Sequence, residues 1–192
     1  MRRPSCKIRL LLGCLGSLWL AAAVAADAPT ARAPRLTTDG LAPVSLGMSI
    51  ATAEHLLGAR LSRLSRSSSG FAREPESSET CWLWRRRDRR TPGVTYMTER
   101  GVIVRIDVTP AGDVRTLPLT PRGVGLTSRQ RDVEAAYGPD LHLERHPLEE
   151  GTSTTIVERN GASAVRLDIR DGVVIAMFAA RGDALYYSEG CS

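Results

Sequence analysis

Apolar and polar residues alternate with a period of two over residues 94–108 and again over residues 165–179. Each stretch reverses at a glycine, Gly101 or Gly172, and Asp171-Gly172 supplies two residues that tolerate positive φ. Both stretches read as β-hairpins. Alternation aims Val94, Tyr96, Val102, Val104, Ile106 and Val108 at a core in the first hairpin. In the second it aims Val165, Leu167, Ile169, Val173, Ile175 and Met177 there, leaving Val174, Ala176 and Phe178 on the opposite side. A further strand fits Thr80 to Arg86, with a counterpart near Thr154 to Arg159, and a terminal strand fits Ala184 to Glu189.

A short helical pattern precedes each hairpin. The first runs from Ser49 to Leu57 with Gly58 behind it. The second runs from Ser128 to Tyr137 and is followed by Gly138 and Pro139. Ser49, and Thr127 or Ser128, have the side-chain oxygen an N-cap requires, and glycine followed by proline is a usual stop. Ala53, Leu56 and Leu57, and Val133, Ala136 and Tyr137, give each helix an apolar stripe. The order is helix then strands, twice, at an offset of roughly 70 to 80 residues, which reads as an internal repeat. The expected modules are 44–110 and 124–192, joined by a linker at 111–123. A flexible leader rich in Ala, Pro, Thr and Arg occupies 27–43.

Residues 1–26 have the layout of a cleavable export signal: Arg2, Arg3, Lys7 and Arg9, then an apolar stretch, then small residues up to Ala26. The apolar stretch is shorter than a membrane span of ~20 residues, and no later segment approaches that length. The expected location is the periplasm or the medium. A competing reading takes Leu11-Leu12-Gly13-Cys14 as a lipoprotein site that anchors the chain through Cys14. Without the signal, 22 arginines face 21 carboxylates, a net of +1, so the basic pI near 9.4 says little about partners. Removal also leaves two cysteines, Cys81 and Cys191, which in an oxidising compartment pair as a disulfide. Closing a loop of 110 residues between them stabilises by about 4.7 kcal/mol in the chain-entropy model.

Leu46-Gly47-Met48-Ser49 running to Leu57-Gly58, and Val124-Gly125-Leu126-Thr127 running to Tyr137-Gly138, are each followed by a strand meander. This arrangement resembles the SmpA/OmlA-type outer-membrane assembly lipoproteins and the β-lactamase inhibitory protein, over about Leu46 to Cys191. The resemblance implies an α+β fold, a tandem repeat of helix plus antiparallel β-meander with the helices packed on one face of the sheets. It also implies a protein that binds other proteins and is not an enzyme. From residue 27 the chain has two Trp, four Tyr and two Phe, fewer aromatics than that inhibitor uses, so no binding residue is carried over.

The residues favour no catalytic site, cofactor or metal. Pro139 and Pro147 bracket His142 and His146, which argues against an i, i+4 ligand pair on a helix. Glycine loops for phosphate and zinc-ligand spacings are absent from the sequence. A periplasmic hydrolase would have to rest on His142 or His146. Arg85, Arg86 and Arg87 open a basic run suited to an anionic surface component, while export argues against nucleic acid. Trp82 and Trp84 alternate with Cys81 and Leu83; if the latter two face the helices, the indoles lie on an open sheet face. Trp82, Trp84 and Phe178, with Arg85 to Arg87 at the rim, are the expected contact set for an envelope protein or anionic surface component.

Overall fold

Both hairpins turn where the sequence places the reversal, through left-handed pairs: Arg100 and Gly101 (φ 49° and 81°) and Asp171 and Gly172 (φ 51° and 71°). The computed structural model describes residues 34–64, 81–88, 90–138, 141–146, 150–187 and Cys191. The expected export signal, Cys14, Thr80, Arg89 and the end of the expected terminal strand lie outside the described residues.

Among the described residues, eleven strands form two antiparallel sheets. The smaller has β1 (Leu36–Thr37), β2 (Gly40–Leu41) and β3 (Val44–Ser45). The larger has β4 (Leu61–Arg63), β5 (Cys81–Arg86), β6 (Val94–Glu99), β7 (Val102–Val108), β8 (Glu144–Arg145), β9 (Thr152–Asn160), β10 (Ser163–Arg170) and β11 (Val173–Arg181). Its spatial order is β4-β5-β6-β7-β11-β10-β9-β8, so β4 and β8 are the edges. Helices α1 (Ile50–Leu57) and α2 (Gln130–Tyr137) are eight residues each. Ser49 caps α1 by accepting from the Thr52 N–H, and Gly58 ends it at φ 57°. At α2 the expected Thr127 or Ser128 cap is displaced: the Asp132 carboxylate accepts from the Arg129 N–H, and the Ser128 hydroxyl accepts from Gly125.

The expected α+β fold, a tandem repeat of helix plus meander with helices on a sheet face, is overturned. The described residues are mostly antiparallel β-sheet with two short helices, and the large sheet is covered mainly by other elements. Leu36, Leu41 and Val44 of the small sheet, and Leu117, Val124 and Leu126 of the connection, bury Ile106, Val108, Val165, Leu167 and Met177. Each helix adds one fully buried side chain, Ala53 or Val133. Two turns of helix cannot present an apolar stripe long enough to roof eight strands. The small sheet takes that place by lying directly on the large one. At Gly40 (φ 132°) an added Cβ would meet the Val44 carbonyl at 2.6 Å and the Ile106 side chain at 3.3 Å.

Residues 34–43, expected in the leader, thus contribute to the core. The inward sets also shift. A bulge between Met97 and Thr98 and their β7 partners puts Ile103 in the core, leaves Val102 exposed and turns Val104 to the other side. A second bulge between Asp168 and Ile169 brings Val174 into the core in place of Val173 and Ile175. The expected strand from Ala184 is instead a 3-10 turn, Gly182–Leu185. The predicted disulfide is present: Cys81 and Cys191 are bonded with their Cα atoms 5.5 Å apart.

Candidate binding surface

The β4–β5 edge collects most of the contact residues expected from sequence. Pairing sets Arg63 opposite Trp84 and Trp82 opposite Thr98. Trp84 is half-buried against the main core, and its Nε1–H donates to the Thr98 hydroxyl at 3.0 Å. That hydroxyl donates in turn to the Trp82 carbonyl at 3.3 Å. The guanidinium of Arg63, itself exposed, lies 3.4 Å from the centroid of the Trp82 ring and 5.3 Å from that of Trp84. Cys81 and Leu83 face the other side with Met97, Val104, Ala184 and Tyr187. The indoles therefore share a side with the main core, at its margin.

The three adjacent arginines differ. Arg85 and Arg87 are exposed. Arg86 folds back on Asp88, donating through Nε and Nη2 at 2.9 and 2.7 Å. That hydrogen bond holds the Asp88 carboxyl down at about 2 and raises the Arg86 guanidinium. Arg60, beside them through the Arg87 N–H to Arg60 carbonyl bond, pairs with Glu54 at 2.9 Å.

Phe178 is elsewhere. It sits on β11, three strand spacings or about 14 Å from β5, and is only 7% exposed. The guanidiniums of Arg105 and Arg166 flank its ring at 5.2 and 4.2 Å. Arg105 grips Asp107 at 2.7 and 3.0 Å, and Arg166 meets Asp168 at 3.2 and 3.3 Å. Both arginines reach over to the chain that follows β11: Arg105 donates to the Ala184 and Tyr187 carbonyls, Arg166 to those of Leu185 and Tyr187. The centre of this second face is thus roofed by residues 182–187. The sheet separates Phe178 from the tryptophans it was grouped with, and three strand spacings separate it from Arg85, which shares its side.

Near the β8 edge, His142, Glu144, His146, Arg166 and Tyr186 line a cavity of about 350 Å³. His142 is exposed, 3.5 Å from Glu144, whereas His146 is buried with Nε2 3.8 Å from Asp168. Among the described residues, no group of three or more His, Cys, Asp or Glu side chains is arranged to hold a metal ion. None of their helices is long and apolar enough to cross a membrane.

Sequence reasoning missed Arg63 and the four buried charges. The latter left a visible signal: Val104-Arg105-Ile106-Asp107-Val108 and Val165-Arg166-Leu167-Asp168-Ile169 each put an Arg and an Asp on one face of an apolar strand. In both strands that charged face is buried, with Arg105 2% and Arg166 5% exposed and each set against its Asp. No family model matches the chain, nor does a curated protein or a solved structure.

Proposed function

We propose that this chain is an exported, non-enzymatic binding protein of the bacterial envelope that meets another macromolecule along the β4–β5 edge of its large sheet. The observation that carries this reading is the stacking of exposed Arg63 on Trp82, beside exposed Arg85 and Arg87. Indoles and guanidiniums are the groups most enriched where proteins grip partners. The second face, with Phe178 beneath residues 182–187, is less suited, so the contact surface moves from the sheet face to its edge.

Export is supported by the three-part layout of residues 1–26 and by the Cys81–Cys191 disulfide, which persists in oxidising compartments. The non-enzymatic reading is supported by the buried charges: Arg105, Asp107, Arg166 and Asp168 engage one another and main-chain carbonyls.

Affinity capture from envelope extract tests the proposal, comparing wild type with R63A/W82A and R85S/R87S. Loss of the same partner in both variants, with folding and the disulfide retained, is the expected result. Equal recovery from all three proteins would remove the edge from consideration. Mass mapping of the N-terminus tests export: the expected start is Ala26 or Asp27, and a diacylated Cys14 would replace the free form with an anchored one.

A further inference from the structure

From residue 27 the chain is nearly neutral, yet its charge is not spread evenly. Between residues 60 and 90 the sequence has nine arginines against four carboxylates, and its described positions hold Arg60, Arg63, Arg85, Arg86, Arg87 and Arg90 together with Asp88. That carboxylate is held by Arg86 at 2.7 Å, and the Arg90 guanidinium approaches it only to 3.6 Å. The side chains of Arg60 and Arg90 are about four-fifths exposed (79% and 81%), and Arg63, Arg85 and Arg87 are exposed as well.

We propose that this edge binds the phosphate groups of an anionic lipid surface. The proposal rests on the reading of the β4–β5 edge as the contact surface and names its partner. Guanidinium groups match phosphate oxygens with paired N–H donors, which suits a surface presenting many phosphates better than a single counter-ion. Strand alternation sets Arg63 on the same side of the sheet as Trp82, and Arg85 on the other. Positive charge therefore wraps around the three-residue edge strand, as an edge-on approach to a plane requires. The half-buried indoles of Trp82 and Trp84 beside these charges have the amphipathic character that places tryptophan at headgroup depth.

The test is co-sedimentation of the purified, disulfide-bonded protein, expressed from the full chain, with vesicles of phosphatidylglycerol and phosphatidylcholine in equal parts. Wild type is expected to bind these vesicles at low salt and not vesicles of phosphatidylcholine alone. Binding should vanish near 1 M salt, where the screening length falls to ~3 Å. R85S/R87S changes two exposed side chains without touching the core and should weaken binding by about 30-fold, at roughly fivefold for each arginine near a charged surface. Equal binding by R85S/R87S, or no binding of the anionic vesicles by wild type, would overturn the lipid assignment. So would full competition by inorganic phosphate at the vesicles' own phosphate concentration, because a free ion would then suffice. If capture of an envelope protein still depends on Arg63 and Trp82 while vesicles are not bound, the lipid assignment alone falls. If wild type neither captures a partner nor binds vesicles, the contact surface falls with it.

Discussion

Arg166, midway along β10, donates through Nη1 to the main-chain carbonyl of Leu185 at 2.6 Å, so a buried guanidinium of the sheet fastens the turn that follows the last strand. Burial pushes this guanidinium's pKa down, and Asp168 opposes that shift. The pair holds because each charge is the other's partner, with side chains only 6% and 7% exposed. R166M leaves the Asp168 carboxylate buried with its main counter-charge gone, and should cost about 3–5 kcal/mol. R166M/D168L removes both charges and should regain a large part of that loss. Urea unfolding midpoints decide it: equal losses in the single and double variants would mean that charge pairing is not the cause.

The Cys81–Cys191 bond ties β5 to the end of the chain across 110 residues. A loop of that size constrains the unfolded chain strongly, so C81A/C191A should lower stability by about 4.7 kcal/mol in the chain-entropy model. Residues 182–187 have their own fastenings in Arg105 and Arg166 and in the Gly182 N–H to Ala162 carbonyl bond of 2.8 Å. Their amides should therefore stay protected from hydrogen exchange in native C81A/C191A. Immediate exchange there would show that the disulfide, and not the arginines, keeps the turn in place.

What could be read ahead of the structure was local. Asp171-Gly172 announces its own turn, Ser49 and Gly58 bracket α1, and setting aside the expected signal leaves a single cysteine pair. What escaped depends on distant partners. The two-residue strands β1, β2 and β3 are too short to display a period, so residues 34–43 look like loop although Leu36 and Leu41 are core. The bulge near Met97 inserts an extra residue without changing composition, and every inward assignment beyond it flips, exchanging Val102 and Val104 for Ile103. The alternation at Trp82 and Trp84 correctly set them opposite Cys81 and Leu83, but it cannot say which side carries the larger core. Arg63 reaches Trp82 only because β4 pairs with β5, and that register is not written in either segment alone.

Acid should loosen the tip of the basic run. The carboxyl of Asp88 titrates at about 2 in the folded protein, chiefly through its bonds to Arg86, against an ordinary value of 3.8. A carboxyl whose folded pKa is depressed contributes stability above the unfolded value and loses it as pH falls through the folded one. The loss is therefore confined to the window from about pH 4 to about pH 2, and it should be small, because the pair is at the surface. NMR titration of the Asp88 carboxyl should give a midpoint near 2 in wild type and a return toward the ordinary value in R86Q. A midpoint near 4 in both would show that the Arg86 bonds do not persist in solution.

The stack of Arg63 on Trp82 makes its own optical prediction. With the guanidinium 3.4 Å from the ring centroid, one face of the indole is shielded from water. R63A uncovers that face, so emission should shift to longer wavelength and quenching by a neutral quencher should rise. Trp84, anchored through Nε1 to Thr98 and packed on the core, should change little. W82F separates the two indoles: in that background R63A should leave emission nearly unchanged. The stability cost of R63A alone should be about 0.5–1 kcal/mol, typical of a cation–π contact at an exposed site. If R63A shifts the spectrum equally with and without Trp82, the guanidinium shields some other indole, and the edge on which the proposed contact depends is built differently.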